Sequence, residues 1–315
     1  METFTQSSLV AFAECPEKHR LSYIEGGNGI KPRVVDLKMA AGTEMHKAVF
    51  ALHRGIRPTD VEQYIRIGFA VFKKSYNHSP QTLQDIEVAA ECTIGAMYGY
   101  KKQWLSRPMK LQFDKENIPI DFDMEVHGEI CRFNGEIDWM GNKNGHPVLV
   151  EVKNTADISQ KFKFDVEMSP QTLLYIIGYY EQYAKKNEVV LTLFDYIRKP
   201  SIRPQKGESL QQYMRRVRED YIGRPEFYFH RAYIRREAKD LLRFKQELIA
   251  LVRTHRFVSR RNLWYKNRKA CNARGRCQFF DICAFGQTPG IMANFERKKM
   301  QHEELAKHVT THEEE

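Results

Sequence analysis

No apolar run in this 315-residue sequence is long enough to cross a bilayer; each is short and broken by charge, and the N-terminus is polar. That argues against a membrane span or a secretory leader, and the expectation is a cytoplasmic protein. No Gly-rich P-loop occurs, so the chain should not drive its own movement with a nucleotide motor. No internal repeat is found, which excludes a solenoid. Cysteine is scarce at six, and in a reducing compartment such thiols are reduced, buried or metal-bound rather than disulfide-linked. Acidic residues are missing from one stretch: between Arg253 and Arg276 there are nine Lys or Arg and no Asp or Glu, within a chain of net charge +10. Hydrophobic residues at 42% and aromatics at 12% supply a sizeable core and exclude wholesale disorder.

The most informative residues lie between positions 138 and 153. Leu149-Val150-Glu151-Val152-Lys153 has strand alternation, with Val150 and Val152 on one face and Glu151 and Lys153 on the other. Upstream, Gly135-Glu136-Ile137-Asp138 precedes a turn-rich stretch, Met140 to Pro147, whose glycines and asparagines predict a hairpin. That hairpin would set Asp138 beside Glu151. Two carboxylates and a lysine at this spacing suit a magnesium-dependent phosphodiesterase: oxygens hold a hard cation, the metal activates water, and the ammonium supports the nucleophile or the developing phosphate charge. A surface strand also often carries Glu-x-Lys as a solvated charge pair. Elsewhere, Gly42-Thr43-Glu44-Met45-His46 begins a helical pattern continued by Ala48, Val49 and Leu52, and Gln171-Thr172-Leu173-Leu174-Tyr175 begins another.

This ordered set resembles the PD-(D/E)xK nuclease superfamily, and in particular its RecB-like branch, which has G-T-x-x-H before the carboxylates and Q-x-x-x-Y after the lysine. The resemblance implies an α/β fold, with a restriction-endonuclease-like mixed central sheet flanked by helices. It implies that His46, Asp138 and Glu151 hold Mg²⁺ or Mn²⁺, with the backbone carbonyl of Val152 completing the shell. It makes Lys153 the catalytic lysine, and gives Gln171 and Tyr175 a role in supporting the site or contacting DNA. The residues alone leave simpler readings open: His46 as a helix-surface histidine, and Gln171 and Tyr175 as a packing pair one turn apart. Glu136 shares a strand face with Asp138 and is read as a solvated or supporting acid.

Cys271, Cys277 and Cys283 are spaced C-x5-C-x5-C, and Cys15 stands in Phe12-Ala13-Glu14-Cys15-Pro16, after a predicted Ser-capped helix start. One early and three late cysteines is also the layout of the iron–sulfur RecB-like nucleases, a group similar to CRISPR-associated exonucleases and AddAB-type nuclease domains. There, four thiolates hold a [4Fe–4S] cluster that staples the chain ends. The usual late spacing is C-x2-C-x5-C, so the first interval here is wider. Structural Zn²⁺ is the alternative for the same soft ligands. Cys92, in a helical pattern, and Cys131, in a strand, read as buried thiols.

In the acid-free stretch, Phe257, Trp264 and Tyr265 interleave with basic residues. Arg260, Arg261, Trp264, Lys266 and Arg268 are therefore candidate contacts to a nucleic-acid strand, through phosphate pairing and base stacking; a solvated basic helix with core aromatics is the plainer reading. The chain reads as one nuclease domain over 1–294. It comprises a helical part at 5–105, a catalytic core at 122–198, a strand and helices at 199–255 and the basic cysteine segment at 256–286. A charged tail, 295–315, follows. Strands are expected over 122–152, near 188–197 and near 227–234, and helices over 168–186, near 208–221 and over 236–254. The expected activity is hydrolysis of DNA phosphodiesters, as an exonuclease on DNA with single-stranded ends. A role in replication, recombination or repair, with a protein partner and the economy of a phage accessory, fits the size and the missing motor. Two alternatives are a DNA-binding or CRISPR-adaptation scaffold and an iron–sulfur redox sensor. Neither has a use for the repelling carboxylate pair beside Lys153.

Overall fold

The computed structural model describes the chain except residues 1, 34–36, 75–78, 107–110, 157, 184–189, 274, 304 and 306–315; at 111–114, 161 and 165 only the backbone is described. The elements run β1 (Glu2–Thr5), α1 (Gln6–Glu14), α2 (Pro16–Tyr23), β2 (Ile30–Pro32), α3 (Leu37–His53), α4 (Pro58–Lys74) and α5 (Pro80–Tyr100). Next come β3 (Leu111–Val126), β4 (Glu129–Lys143), β5 (His146–Thr155), α6 (Gln160–Glu167), α7 (Pro170–Gln182) and β6 (Leu191–Arg198). The remainder is α8 (Leu210–Gly223), α9 (Pro225–Tyr228), β7 (Phe229–Arg235), α10 (Ala238–Arg260), α11 (Phe280–Phe285), α12 (Pro289–Met292) and β8 (Phe295–Arg297). No described helix is long and apolar enough to cross a membrane.

The fold is the expected α/β one, with a mixed six-stranded sheet. β3–β4, β4–β5 and β6–β7 pair antiparallel, whereas β1–β4 and β5–β6 pair parallel. The hairpin between β4 and β5 turns on Asn144 and Gly145, both in left-handed backbone (φ 54° and 86°), the conformation a two-residue turn needs. β3 runs along one edge of β4. The other edge is divided: β1 pairs with residues 131–134 and β5 with 139–143, so 135–138 lie in the fork between them.

Alternation on the strands builds two cores. Trp139, Val148, Val150, Val152, Leu193 and Ile197 face the layer of α3, α4, α5 and α8. Phe133, Ile137 and Leu149 face α1, α7 and α10 on the other side. Two satellites complete the packing. One sets α6 against β6 and β7 through Ile158, Val166, Phe194, Tyr196 and Ile234. The other joins Leu21, Ile30, Phe279, Ile282 and Phe295 around the cysteine segment.

Several expectations are corrected. The part read as helical over 5–105 is preceded by a strand, Glu2–Thr5, which finds a partner on the free edge of β4, and is interrupted by another, Ile30–Pro32. The first helix is capped by Thr5, in a reciprocal box with Ser8, and Cys15 stands at the break between α1 and α2. The strands expected from 122 begin at Leu111. Gly42 lies within α3 rather than at its start. The helix expected to end at Thr254 continues to Arg260. Phe295–Arg297, assigned to the tail, pair with β2, and Lys31 forms an ion pair with Glu303 at 2.7 Å; the tail from 306 lies outside the described residues.

Candidate active site

Asp138 occupies an irregularity in β4. Ile118 pairs with Ile137 and Glu116 with Trp139 in one continuous register, so Asn117 lies opposite Asp138, and Asn117 has a left-handed φ of 51°. Ile137 packs into one core and Trp139 into the other, so the two-residue alternation slips at Asp138. Such irregularities re-aim a side chain out of the regular pleat. Here the carboxylate turns into the fork, where Asp138 Oδ2 accepts the Val152 N–H at 2.9 Å. Asp138 Oδ1 lies 3.5 Å from Nδ1 of His46 on α3.

Glu151 and Lys153 point from β5 to the face covered by α7. Glu151 Oε1 accepts from Lys153 Nζ at 2.5 Å and from Gln171 Nε2 at 2.7 Å. Gln171 closes the triangle by accepting Lys153 Nζ at 2.9 Å, and its Nε2 also reaches the Tyr175 hydroxyl at 3.2 Å. Ser169 caps α7 and accepts the Gln171 N–H at 3.3 Å, which sets this side chain at the helix start. The Tyr175 ring lies over Gly135, where a Cβ would come within 2.7 Å of Cε1. Gly135 is thus required by close approach rather than by its backbone angles. The structure therefore brings together His46, Asp138, Glu151, Lys153, Gln171 and Tyr175, and places Val152 between the carboxylates.

The electrostatics follow from burial and repulsion. Burial, and next the Asp138 charge, raise the Glu151 carboxyl to about 7, against the opposing pull of Lys153. Asp138 is held below the usual carboxylate range: burial opposes its charge, but His46 and the Val152 N–H outweigh it. His46 is correspondingly raised; desolvation works against its cation, and Asp138 and Glu151 prevail.

Among the described residues, no three His, Cys, Asp or Glu side chains converge as a ready metal-holding group. His46 is engaged with Asp138, and Lys153 with Glu151. Even so, the donor set suits a hard divalent cation. Glu151 Oε2 is buried without a hydrogen-bond partner, and the Asp138 carboxylate and His46 imidazole are near enough to act on the Glu151 charge.

The model of the PD-(D/E)XK nuclease superfamily matches residues 3–284. The chain belongs to this superfamily. Among curated proteins none matches the sequence. Among solved structures, this nuclease is similar to that of SSO0001, at 11% identity and a TM-score of 0.29, over 81% of this chain and 99% of that one. Nucleases of the superfamily usually work with Mg²⁺ or Mn²⁺, which agrees with the oxygen-rich donor set.

The cysteine segment lies apart from the carboxylates. Cys15 is buried, and its Sγ accepts the Asn267 N–H at 3.3 Å. The Cys277 N–H donates to the Cys271 carbonyl at 2.8 Å. The Cys283 thiol is pushed up chiefly by burial; Lys266 opposes this, while Glu17, Cys15 and Cys277 add to it, and among the described residues no three of the thiols converge as a metal-holding group. Cys92 lies in α5 and Cys131 in β4, where Arg256 Nη2 donates to the Cys131 Sγ at 2.8 Å.

The basic residues divide by environment. Arg260 pairs with Glu129 at 2.9 Å, Lys266 donates to the Cys283 carbonyl at 2.8 Å, and Arg261 stacks over Phe257 at 4.6 Å. Trp264 is half-buried against His19 and His255, while Tyr265, Phe257 and Arg268 are exposed. Sequence reasoning missed the internal pair His19–His255, whose Nε2 atoms are 3.2 Å apart. It also missed the group behind the sheet in which buried Asp195 and Tyr100 meet half-buried Arg231 and His53. The one advance sign of the second was an Asp inside the apolar run of β6.

Proposed function

We propose that this nuclease is a metal-dependent deoxyribonuclease that acts as an exonuclease on DNA with single-stranded ends. The observation that carries the hydrolytic reading is Glu151: one oxygen is held by Lys153 and Gln171, the other is buried and unpaired, and the Asp138 charge acts on the group. Asp138, Glu151, His46 and the Val152 carbonyl would hold Mg²⁺ or Mn²⁺, which when bound supplies an activated water and charge neutralisation at the phosphate. Lys153 is held by two acceptors within reach of the carboxylates, where it orients the nucleophile and stabilises negative charge on the phosphoryl oxygens. Gln171 and Tyr175 keep Glu151 and Lys153 in register through the triangle of hydrogen bonds, and Tyr175 seats this arrangement on Gly135.

The chain is read as one nuclease domain over 1–294 followed by a charged tail, 295–315, whose first residues, Phe295–Arg297, pair with β2. Cys15, Cys271, Cys277 and Cys283 are proposed to bind a [4Fe–4S] cluster, with structural Zn²⁺ as the alternative; this rests on the early-and-late cysteine layout of the iron–sulfur relatives, and among the described residues these thiols do not converge as a metal-holding group. Arg260, Arg261, Trp264, Lys266 and Arg268 are proposed to border the DNA path, and the setting is cytoplasmic replication, recombination or repair with a protein partner. Preference for single strands rests on the exposed aromatics in a basic stretch and on the family likeness. The test is cleavage of end-labelled single-stranded DNA with and without Mg²⁺. Stepwise loss of nucleotides from one end is expected only with metal. Uniform internal cutting would discard the exonuclease reading, and no metal-dependent cutting would discard the enzyme.

A further inference from the structure

Three buried residues with an oxygen that no hydrogen bond satisfies line one small cavity between α7 and the sheet. Glu151, Thr172 and Thr192 line it among the apolar side chains of Ile137 and Leu149. Its volume is about 10 Å³, the room of a single water. Thr172 Oγ1, Thr192 Oγ1 and Glu151 Oε2 are each buried without a hydrogen-bond partner. The residues themselves are 3%, 4% and 6% exposed in that order. Local structure explains how they meet. Thr192 is the register partner of Leu149 in the parallel pairing of β5 with β6, so it shares the sheet face of Leu149 and Glu151. Thr172 comes from the first turn of α7, directly after Gln171, which donates to the other oxygen of Glu151 at 2.7 Å. The helical threonines Thr93 and Thr254 satisfy their hydroxyls on the carbonyl four residues back, at 2.8 and 2.9 Å. Thr172 makes no such bond.

The lining selects the occupant. An unpaired hydroxyl in an apolar interior is costly, and two beside an unpaired carboxylate oxygen compound the cost. Interior waters make about three hydrogen bonds to groups of this kind. A hard cation asks for about six oxygens, more than the cavity offers, and nothing larger than water fits the volume. Both threonine hydroxyls can donate to one water, which in turn donates to Glu151 Oε2, so all three groups are satisfied. A carboxylate oxygen has two lone pairs, which leaves one on Oε2 for a cation. We propose that Thr172, Thr192 and Glu151 bind a resident water that holds the catalytic carboxylate from its core side, making the two threonines positioning residues for hydrolysis. The first turn of α7 then fixes both oxygens of Glu151, one through the Gln171 amide and the other through Thr172 and the water. The positioning role rests on the nuclease reading above; the water site does not.

The test separates hydroxyl from shape in the whole protein. T172V/T192V keeps the volume and removes both hydroxyls, whereas T172S/T192S keeps the hydroxyls. A crystal structure of the wild-type protein that resolves ordered water should show one water within hydrogen-bonding distance of both threonine hydroxyls and Glu151 Oε2. That water should persist in the serine variant. In the valine variant it should be gone, and the Glu151 carboxylate should turn from its wild-type position. With Mg²⁺ and end-labelled DNA, kcat should fall about tenfold in the valine variant at unchanged KM, and the serine variant should keep the wild-type kcat. A dry cavity in the wild-type crystal would overturn the site. A valine variant that retains both the carboxylate position and kcat would overturn the positioning role. Equal losses in the serine and valine variants would assign the effect to packing and overturn the role of the hydroxyls. If the wild-type protein cuts no DNA, the nuclease reading fails, and the crystal comparison still decides the water.

Discussion

Glu151 is surrounded by opposing demands. Burial and Asp138 disfavour its charge, while Lys153 and Gln171 donate to one of its oxygens. A site tuned for folding alone would not place two carboxylates together, so removing the charge should abolish function at little structural cost. Glu151→Gln keeps the volume and the Oε1 acceptor. Its expected outcome is loss of metal-dependent cleavage by several orders of magnitude, read on end-labelled DNA, with a melting temperature equal to or above that of the wild-type protein. A variant that cuts at the wild-type rate would show that the metal is held elsewhere. These residues were legible beforehand because Glu151 and Lys153 stand two apart on a strand and share a face whatever the rest of the fold does. The aim of Asp138 was not: it depends on Asn117, in another strand, taking a left-handed conformation opposite it.

At the level of elements, α7 is the part whose position matters most. It brings Gln171 and Tyr175 to the site from one end, and further along it lies on β3, where a Cβ on Gly178 would come 2.0 Å from Cγ2 of Ile120. Backbone and side chain cannot both stay in place. Gly178→Ala should therefore push the helix off the sheet, costing on the order of 1–3 kcal/mol of stability and lowering cleavage through Gln171. Thermal melting and kcat report the two effects; a variant as stable as the wild-type protein would show that α7 tolerates the shift. α7, α8 and α10 were each foreseeable from 3.6-residue periodicity. β1 was not, because Glu-Thr-Phe-Thr has too little pattern to mark a strand and owes its conformation to the open edge of β4.

For the molecule as a whole, two predictions concern how its ends and layers are tied. His53 is half-buried, meets the Tyr100 hydroxyl at 3.0 Å, and is lowered to about 3 by desolvation and then by Arg231. His19, between α1 and α10, is lowered to about 3 by burial and next by His255. A histidine depressed in the folded state leaves proton uptake to the unfolded chain. Stability is thus full above the unfolded value near 6.5 and declines as pH falls from there towards 3. Melting temperature should drop between pH 6.5 and 4.5, and His53→Gln should flatten that slope; an unaltered slope would show that His53 does not contribute. The second tie is the cysteine segment. Cys15 and Cys283 are 268 positions apart, so a shared metal closes nearly the whole chain. Anaerobically purified protein should be brown, with about four irons per chain. Cys15→Ser or Cys283→Ser should lose both colour and stability, and Cys92→Ser and Cys131→Ser should keep the metal. One zinc without iron would retain the tie and discard the cluster; colourless, metal-free, stable protein would discard both.

What the sequence by itself determined is local: the alternation that sets Glu151 beside Lys153, the Asn-Gly turn that folds β4 back on β5, and the helical spacing that stacks Gln171 on Tyr175. Each depends on neighbours a few positions away, and backbone geometry is enough to specify it. Tertiary structure decided the rest. It divided one edge of β4 between β1 and β5, turned Asp138 into the fork, set His46 against it from α3, and drew Phe295–Arg297 into a strand with residues near the other terminus. It also brought Thr172 and Thr192 to the same small cavity as Glu151. Those outcomes depend on which edges and faces remain unfilled after the local elements form, and contacts between distant segments decide that.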